Sequence, residues 1–534
     1  MKFSSENKYW FIAVGGIFVV YFLAFFPIFN LHLVGDDYIT VGVYQHYLAT
    51  YPKGIFSVVN YIFSDWGVQD TIAYIFYTVS GFQPQLRYLF SFVVRFIAAL
   101  SLIPLIFYIT KNKLASTISA LFFAITVIGI QTSDWAVTAP NFIAIVLLNL
   151  FLLAYFKLQK RSDSKAYLIT GFLFIITIVA CPTRMVFLPG FIILYEIYLI
   201  VTERSTTRNL ARMSFFTVLF VVLLSVTHIG NSIYSRDINH WIEASGNKFS
   251  IRDKGYMSNF FAAVDSRDHS LISTSLKQFG VLVTPSTAVG WSGDVDTNHF
   301  VRGLVFLGVC VFIAAKSEKE KRKYAWATLL LMVSSLTIFW LKDPNFVMLI
   351  SDRYLIVSAA AISILLGQTI AGFKNKFALI FALVVILTQF YYSYRYLRTM
   401  SIIRGFSLVE AIRSSVPCVP GLMEKGMPVL YYFEPDNSDT IAYSLTWGFN
   451  YILGYKCGIS DIWNYDKWNF VATNYWEDVE LAYKTGEFFT LFELPTNPVK
   501  LGNIYSYEVE TDGRLSDTTF DTRNKLMNIS NVQY

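Results

Sequence analysis

"YWFIAVGGIFVVYFLAFFPIFNLHLVGDDYITVG", residues 9–42, joins an apolar run to a pair of aspartates. Positions 9–29 carry no charge, and about twenty such residues suffice for a helix to cross the hydrocarbon core. The run is too long for a signal-peptide core and has no small-residue cleavage site, which makes it a retained first span. Asp36 and Asp37 stand a few residues beyond its end. Carboxylates there either mark the return to water or sit at a membrane face to do chemistry. The side on which they lie, and what gathers with them, decides between the two.

The composition extends the membrane reading from the first run to the rest of the chain. Of 534 residues 54% are hydrophobic and only 15% charged, and mean hydropathy is +0.47. A soluble core of this length needs a polar shell that such a composition cannot supply, so most of the chain belongs in a bilayer. Apolar runs of spanning length occur at 9–29, 88–110, 114–131, 141–157, 166–181, 185–202, 213–230, 300–315, 324–341, 354–373 and 377–393. These eleven are expected as helices, because lipid offers backbone groups no partners. "TIAYIFYTVSGF", 71–82, is shorter and suits a helix lying along the interface. The net charge of +6 sits in short clusters between apolar runs and gives no case for nucleic-acid binding.

Those clusters set the orientation. Lys111 and Lys113, then Lys157 to Lys165, then Arg204 to Arg212, then Lys316 to Lys323, then Lys374 and Lys376 all fall on one side. With the amino terminus, that side is the cytoplasm. Loops 30–87 and 231–299 and the tail 394–534 are then external, and residues 1–393 form the membrane domain. The tail changes character. "MPVLYYFEPD" reads as a strand and turn, and "NIYSYEVETDGRLSD" as a hairpin around Asp-Gly. A small α/β domain is expected there, and Cys418 and Cys457 share it, where a disulfide is chemically permitted.

Three arginines join the two aspartates on the outer side. Arg184 lies in the short loop "CPTRMVFLPG", Arg353 opens a span in "SDRYLIV", and Arg95 lies within a span about 22 Å along the helix from Lys111. A charge in a span is costly and usually functional, although an arginine can anchor at the interface. Three together suit a lipid-linked anion, since guanidinium pairs bidentately with phosphate. A nearby aspartate can then accept the proton of a sugar hydroxyl as the phosphate leaves the anomeric carbon.

The pattern resembles the GT-C superfamily of polytopic glycosyltransferases, which take sugar from polyprenyl-phosphate donors. In that family an acidic motif follows the first span, as "GDDY" does; a basic residue followed by a proline closes a middle span, as in "TRMVFLPG"; and an Arg-Tyr pair opens a late span, as in "DRYLIV". Residues 39–82 are similar to its interfacial helices. The chain departs from the pattern in carrying Asp as second acid and Arg in the middle motif. Length, span count and the external tail are also similar to phage-carried, serotype-converting O-antigen glucosyltransferases.

What the resemblance implies is an inverting hexosyltransferase of the bacterial cytoplasmic membrane. It would move a hexose such as glucose from undecaprenyl phosphate to a surface polysaccharide such as lipopolysaccharide O-antigen. Asp36, then Asp37, is the expected base, and Arg184, Arg353 and Arg95 are the expected phosphate ligands. Trp241 in "NHWIEASGNK" and Trp291 with Asp294 in "GWSGDVDTNH" offer stacking and polar contacts to the acceptor sugar. Asp294-x-Asp296 could hold a divalent metal, but outside the cell, where nucleotide sugars are scarce, an acceptor contact is favoured and no cofactor is expected. Two rival classes share these features: a polymerase or ligase of lipid-linked polysaccharide, and a transporter or flippase. The latter typically has midplane charges and two related halves, which the sequence lacks. No ATPase, zincin or serine-hydrolase motif occurs at a usable position.

Overall fold

The computed structural model describes residues 5–51, 54–160, 163–203, 206–229, 276–277, 279–282, 297–336, 352–372, 376–418, 429–434, 449–458, 470–486, 498–510 and 512–531. Helices dominate the described residues. In chain order the first are α1 (Ser5–Phe25), α2 (Gly35–Thr50), α3 (Ile55–Ile62), α4 (Gly67–Ser80), α5 (Pro84–Thr110), α6 (Lys113–Ile125), α7 (Gln131–Asp134) and α8 (Asn141–Leu158). There follow α9 (Ser164–Ala180), α10 (Pro182–Met185), α11 (Leu188–Glu203), α12 (Thr206–Val226), α13 (Thr297–Lys316), α14 (Lys319–Ser335), α15 (Ile356–Gly372) and α16 (Lys376–Ile403). Each of the eleven apolar runs carries one of these helices. Among the described residues seven helices are long and apolar enough to cross a membrane, as a multi-pass membrane protein requires, and α6 and α9 are shorter apolar helices.

Two departures from the sequence expectation shape the active end of the bundle. The run 114–131 is not one helix: α6 stops at Ile125 and the chain wanders through 126–140 before α8. A helix end inside a bundle leaves carbonyls without partners, which only buried polar groups can supply. Arg95, fully buried on α5, donates to the carbonyls of Ala124 (3.1 Å), Phe123 (3.4 Å) and Thr126. Ser393 donates to the Ile125 carbonyl at 2.7 Å, while the Gln389 carboxamide oxygen accepts from Thr126 Oγ1 and the Val127 amide. The second departure is α16, which runs ten residues past the expected boundary at 393.

A buried pair ties the opposite ends of the helices. Arg212 donates through Nε and Nη2 to Glu196 at 2.7 and 3.0 Å, and the Tyr155 hydroxyl donates to the same carboxylate at 2.5 Å, locking α12, α11 and α8 together.

Beyond α16 lie α17 (Phe406–Ser415), β1 (Val429–Glu434), α18 (Phe449–Lys456), β2 (Phe470–Thr473), α19 (Trp476–Lys484), β3 (Ile504–Val509), β4 (Leu515–Asp517) and α20 (Thr519–Asn531). The sheet order is β2-β1-β3-β4, with β1 parallel to β2 and β3. β3 and β4 form the antiparallel hairpin expected around Asp512-Gly513, where Gly513 takes φ +88°. Such parallel strands require crossovers, here partly helical. Cys418 and Cys457 are bridged, joining the end of α17 to the end of α18.

Candidate active site

The first turn of α2 separates the two aspartates. Asp37 is fully buried; its Oδ2 accepts from the Val34 amide at 2.9 Å, closing the helix start, and its Oδ1 lies 3.7 Å from Arg87 Nη1. Burial pushes Asp37 up to about 6, with Arg87 and the Val34 amide working against that rise. Asp36 points the other way. Its side chain keeps 24% exposure, and Oδ2 lies 3.8 Å from Arg353 Nη1.

Arg353 sits in the 3-10 turn Asp352–Leu355 that opens α15. Its guanidinium lies over the Trp135 ring at 4.2 Å and 5.6 Å from the Tyr354 ring. Its carbonyl accepts from Thr132 Oγ1 at 3.1 Å, which ties this turn to the irregular stretch after α6. Arg184, on the short α10, stacks on Tyr354 at 3.6 Å and is 3% exposed. Asp36, Arg353, Tyr354 and Arg184 thus form one row. A row of stacked guanidiniums beside a half-open carboxylate can grip an oxyanion and accept a proton at adjacent points.

Both arginines keep buried donor atoms without a hydrogen-bond partner, Nε of Arg184 and Nη1 of Arg353. Buried polar atoms are usually satisfied, so both guanidiniums have a donor open to a ligand's oxygen.

Arg95 stands apart from this row. Its guanidinium serves the α6 carbonyls and Ser133 Oγ, and it lies 4.4 Å from the Phe25 ring. Trp241, Trp291, Asp294 and Asp296 lie outside the described residues. Among the described residues no three His, Cys, Asp or Glu side chains gather to hold a metal.

Several residues at the site went unread in the sequence. Trp135 belongs to "QTSDWAVTAP", a polar interruption between two apolar runs that could have signalled a structured turn. Its neighbour Asp134 is buried against Arg404 (2.9 Å) and the Tyr396 hydroxyl (3.1 Å), pinning the turn to the end of α16. Asp70 on α4 accepts from the Tyr61 hydroxyl at 2.5 Å, and burial pushes it up to about 7.

The carboxy-terminal region grips the acid helix from behind. His32, buried just ahead of α2, has been driven down to about 4 by burial and by Arg413. It is therefore neutral: Nδ1 accepts from Arg413 Nη1 at 2.7 Å, and Nε2–H donates to Glu410 at 3.0 Å. Tyr455 of α18 donates to Gln45 of α2 at 2.8 Å. Gly42 leaves room for the Tyr451 ring, which would lie 2.1 Å from an added Cβ.

No protein-family model matches the sequence, and no curated protein is significantly similar to it. Solved structures to which the chain is similar include the oligosaccharyltransferase AglB from Archaeoglobus fulgidus, in complex with an inhibitory peptide and a dolichol-phosphate (14% identity, 84% of this chain, TM-score 0.46). The chain spans 64% of that protein's length. Another is ArnT from Cupriavidus metallidurans bound to undecaprenyl phosphate (10% identity, 94% of this chain and 93% of ArnT, TM-score 0.45). At such scores the likeness carries no argument about this chain's chemistry, which rests on the site itself.

Proposed function

We propose that the protein is a GT-C-type membrane glycosyltransferase that moves a sugar from a polyprenyl phosphate to an acceptor hydroxyl on the outer side of a bacterial cytoplasmic membrane. The observation that carries this is the row Asp36–Arg353–Tyr354–Arg184: a half-open carboxylate beside Arg353, with Arg184 on the far side of Tyr354 and a donor without a hydrogen bond on each guanidinium.

Asp36 accepts the acceptor hydroxyl's proton while that oxygen bonds to the anomeric carbon. The bond from that carbon to the phosphate oxygen breaks, and Arg353 and Arg184 hold the charge that collects on the lipid phosphate. One displacement inverts the anomeric configuration. Asp37 is too enclosed for the base role and instead closes the helix that presents Asp36. Glucose is the first hexose to test, and lipopolysaccharide O-antigen the first acceptor.

The test supplies purified protein with undecaprenyl-phosphate glucose and polysaccharide acceptor, and follows glucosyl transfer. Wild type should form product and Asp36→Asn should not. Full transfer by Asp36→Asn would overturn the assignment, as would substrate uptake into sealed vesicles with no covalent product.

A further inference from the structure

Beside Arg184 a second buried side chain has an unsatisfied donor. Asn141 opens α8 and is 2% exposed, and its Nδ2 makes no hydrogen bond. Its other end is fixed: the Cys181 thiol donates to Oδ1 at 3.1 Å. Cys181 Sγ lies 3.8 Å from Thr183 Oγ1, which in turn accepts from Arg184 Nη1 at 3.4 Å. Asn141, Cys181, Thr183 and Arg184 are therefore a continuous polar chain that runs into the guanidinium row. An amide N–H₂ left unsatisfied in so buried a place costs stability unless a ligand meets it. The first turn of α8 adds the positive end of a helix at the same spot.

We propose that Asn141 is a further binding group for the phosphoryl oxygens gripped by Arg184, held in its donating orientation by the Cys181 thiol. This rests on the reading of the row as a lipid-phosphate site. Asn141 is neutral, so its contribution is directional: it adds a donor without adding charge, and it would fix how the phosphoryl group is turned relative to Asp36. Cys181 is a positioning residue that acts through Asn141.

The test measures binding of undecaprenyl phosphate to the full-length protein in lipid nanodiscs, with undecaprenol and inorganic phosphate as separate probes. Asn141→Ala should weaken undecaprenyl-phosphate binding about tenfold, in the range of one hydrogen bond to a charged group. Asn141→Asp should weaken it further by repulsion. Undecaprenol binding should not change in either, since it lacks the phosphoryl group. Weaker inorganic phosphate binding in parallel would place the contact on the phosphoryl group whatever its source. Cys181→Ser should keep the affinity and Cys181→Ala should lose part of it, and these variants carry the test if Asn141→Ala does not fold. Equal losses for undecaprenol and its phosphate would mark Asn141 as structural and overturn the proposal. Unchanged phosphate binding in Asn141→Ala, with losses in Arg184→Ala and Arg353→Ala, would sink this inference alone. No loss in Asn141→Ala, Arg184→Ala or Arg353→Ala would sink the phosphate reading itself.

Discussion

Arg413 donates to the Tyr38 hydroxyl at 2.6 Å across 375 residues of chain, and Tyr38 directly follows Asp37. The same guanidinium donates to the Leu33 carbonyl at 2.9 Å. The region beyond α16 is thus in hydrogen-bond contact with the start of the acid helix. Arg413→Ala should leave the Tyr38 hydroxyl, the Leu33 carbonyl and His32 short of a donor. Each orphaned group costs about 1–3 kcal/mol, so a lowered melting temperature and a lowered transfer rate should appear together. A variant with wild-type melting and wild-type turnover would show that the contact is dispensable.

The two aspartates should fail differently. Asp36→Asn should keep its melting temperature and lose about 10²–10⁴ in turnover, the range of a general base. Asp37→Asn should lose stability first, because its carboxylate closes α2 and faces Arg87. Melting curves and single-turnover rates on both variants, run side by side, separate the roles; identical profiles would erase the distinction.

Among the arginines, Arg184→Ala and Arg353→Ala should each weaken lipid-phosphate binding by about 1.5–3 kcal/mol, roughly ten- to a hundredfold. Lysine should rescue little at Arg184, since the planar stack on Tyr354 is lost with the guanidinium. Arg95→Ala should lower the melting temperature while a folded fraction still binds donor. Donor affinity lost in Arg95→Ala alone would put the phosphate at the wrong helix.

Acid should stabilise the first loop. Asp70 is pushed up to about 7 and Asp37 to about 6, both by burial, whereas unfolded aspartate titrates near 3.8. The folded state therefore binds more protons between about pH 4 and 7, and stability falls as pH rises through that window. Asp70→Asn should flatten the upper part of the fall. Melting temperatures from pH 4.5 to 7.5 decide it, and a slope of opposite sign would contradict the buried, hydrogen-bonded placement of Asp70.

What the sequence disclosed follows from what each signal depends on. Span positions depend on local hydropathy, so all eleven runs carry helices, and Arg184 and Arg353 could be placed from their short loops and span ends. The stop in α6 was hidden because the run 114–131 stays apolar; what ends the helix is Arg95, Gln389 and Ser393 arriving from other helices. For the same reason Arg95 read as a ligand for an outside anion, when it serves carbonyls inside the protein. Tyr354 as a stacking plate for Arg184, and the grip of Arg413 on Tyr38, depend on partners distant in the chain, which no local pattern encodes. The Cys418–Cys457 bridge was chemically allowed from compartment alone, while its geometry came only with the fold.

The bridge between Leu31 and Gly405, and the bond from the His32 amide to the Arg404 carbonyl, set an order of events in biosynthesis. The loop that carries Asp36 emerges among the first segments of the chain, but its anchor is made only after α16 has been inserted. α17 and α18 must then be delivered to the same side and joined through their cysteines. Contacts of such long sequence separation form late. A chain halted before α16 is therefore left with its acid helix unanchored, and the site assembles only once most of the protein has been inserted.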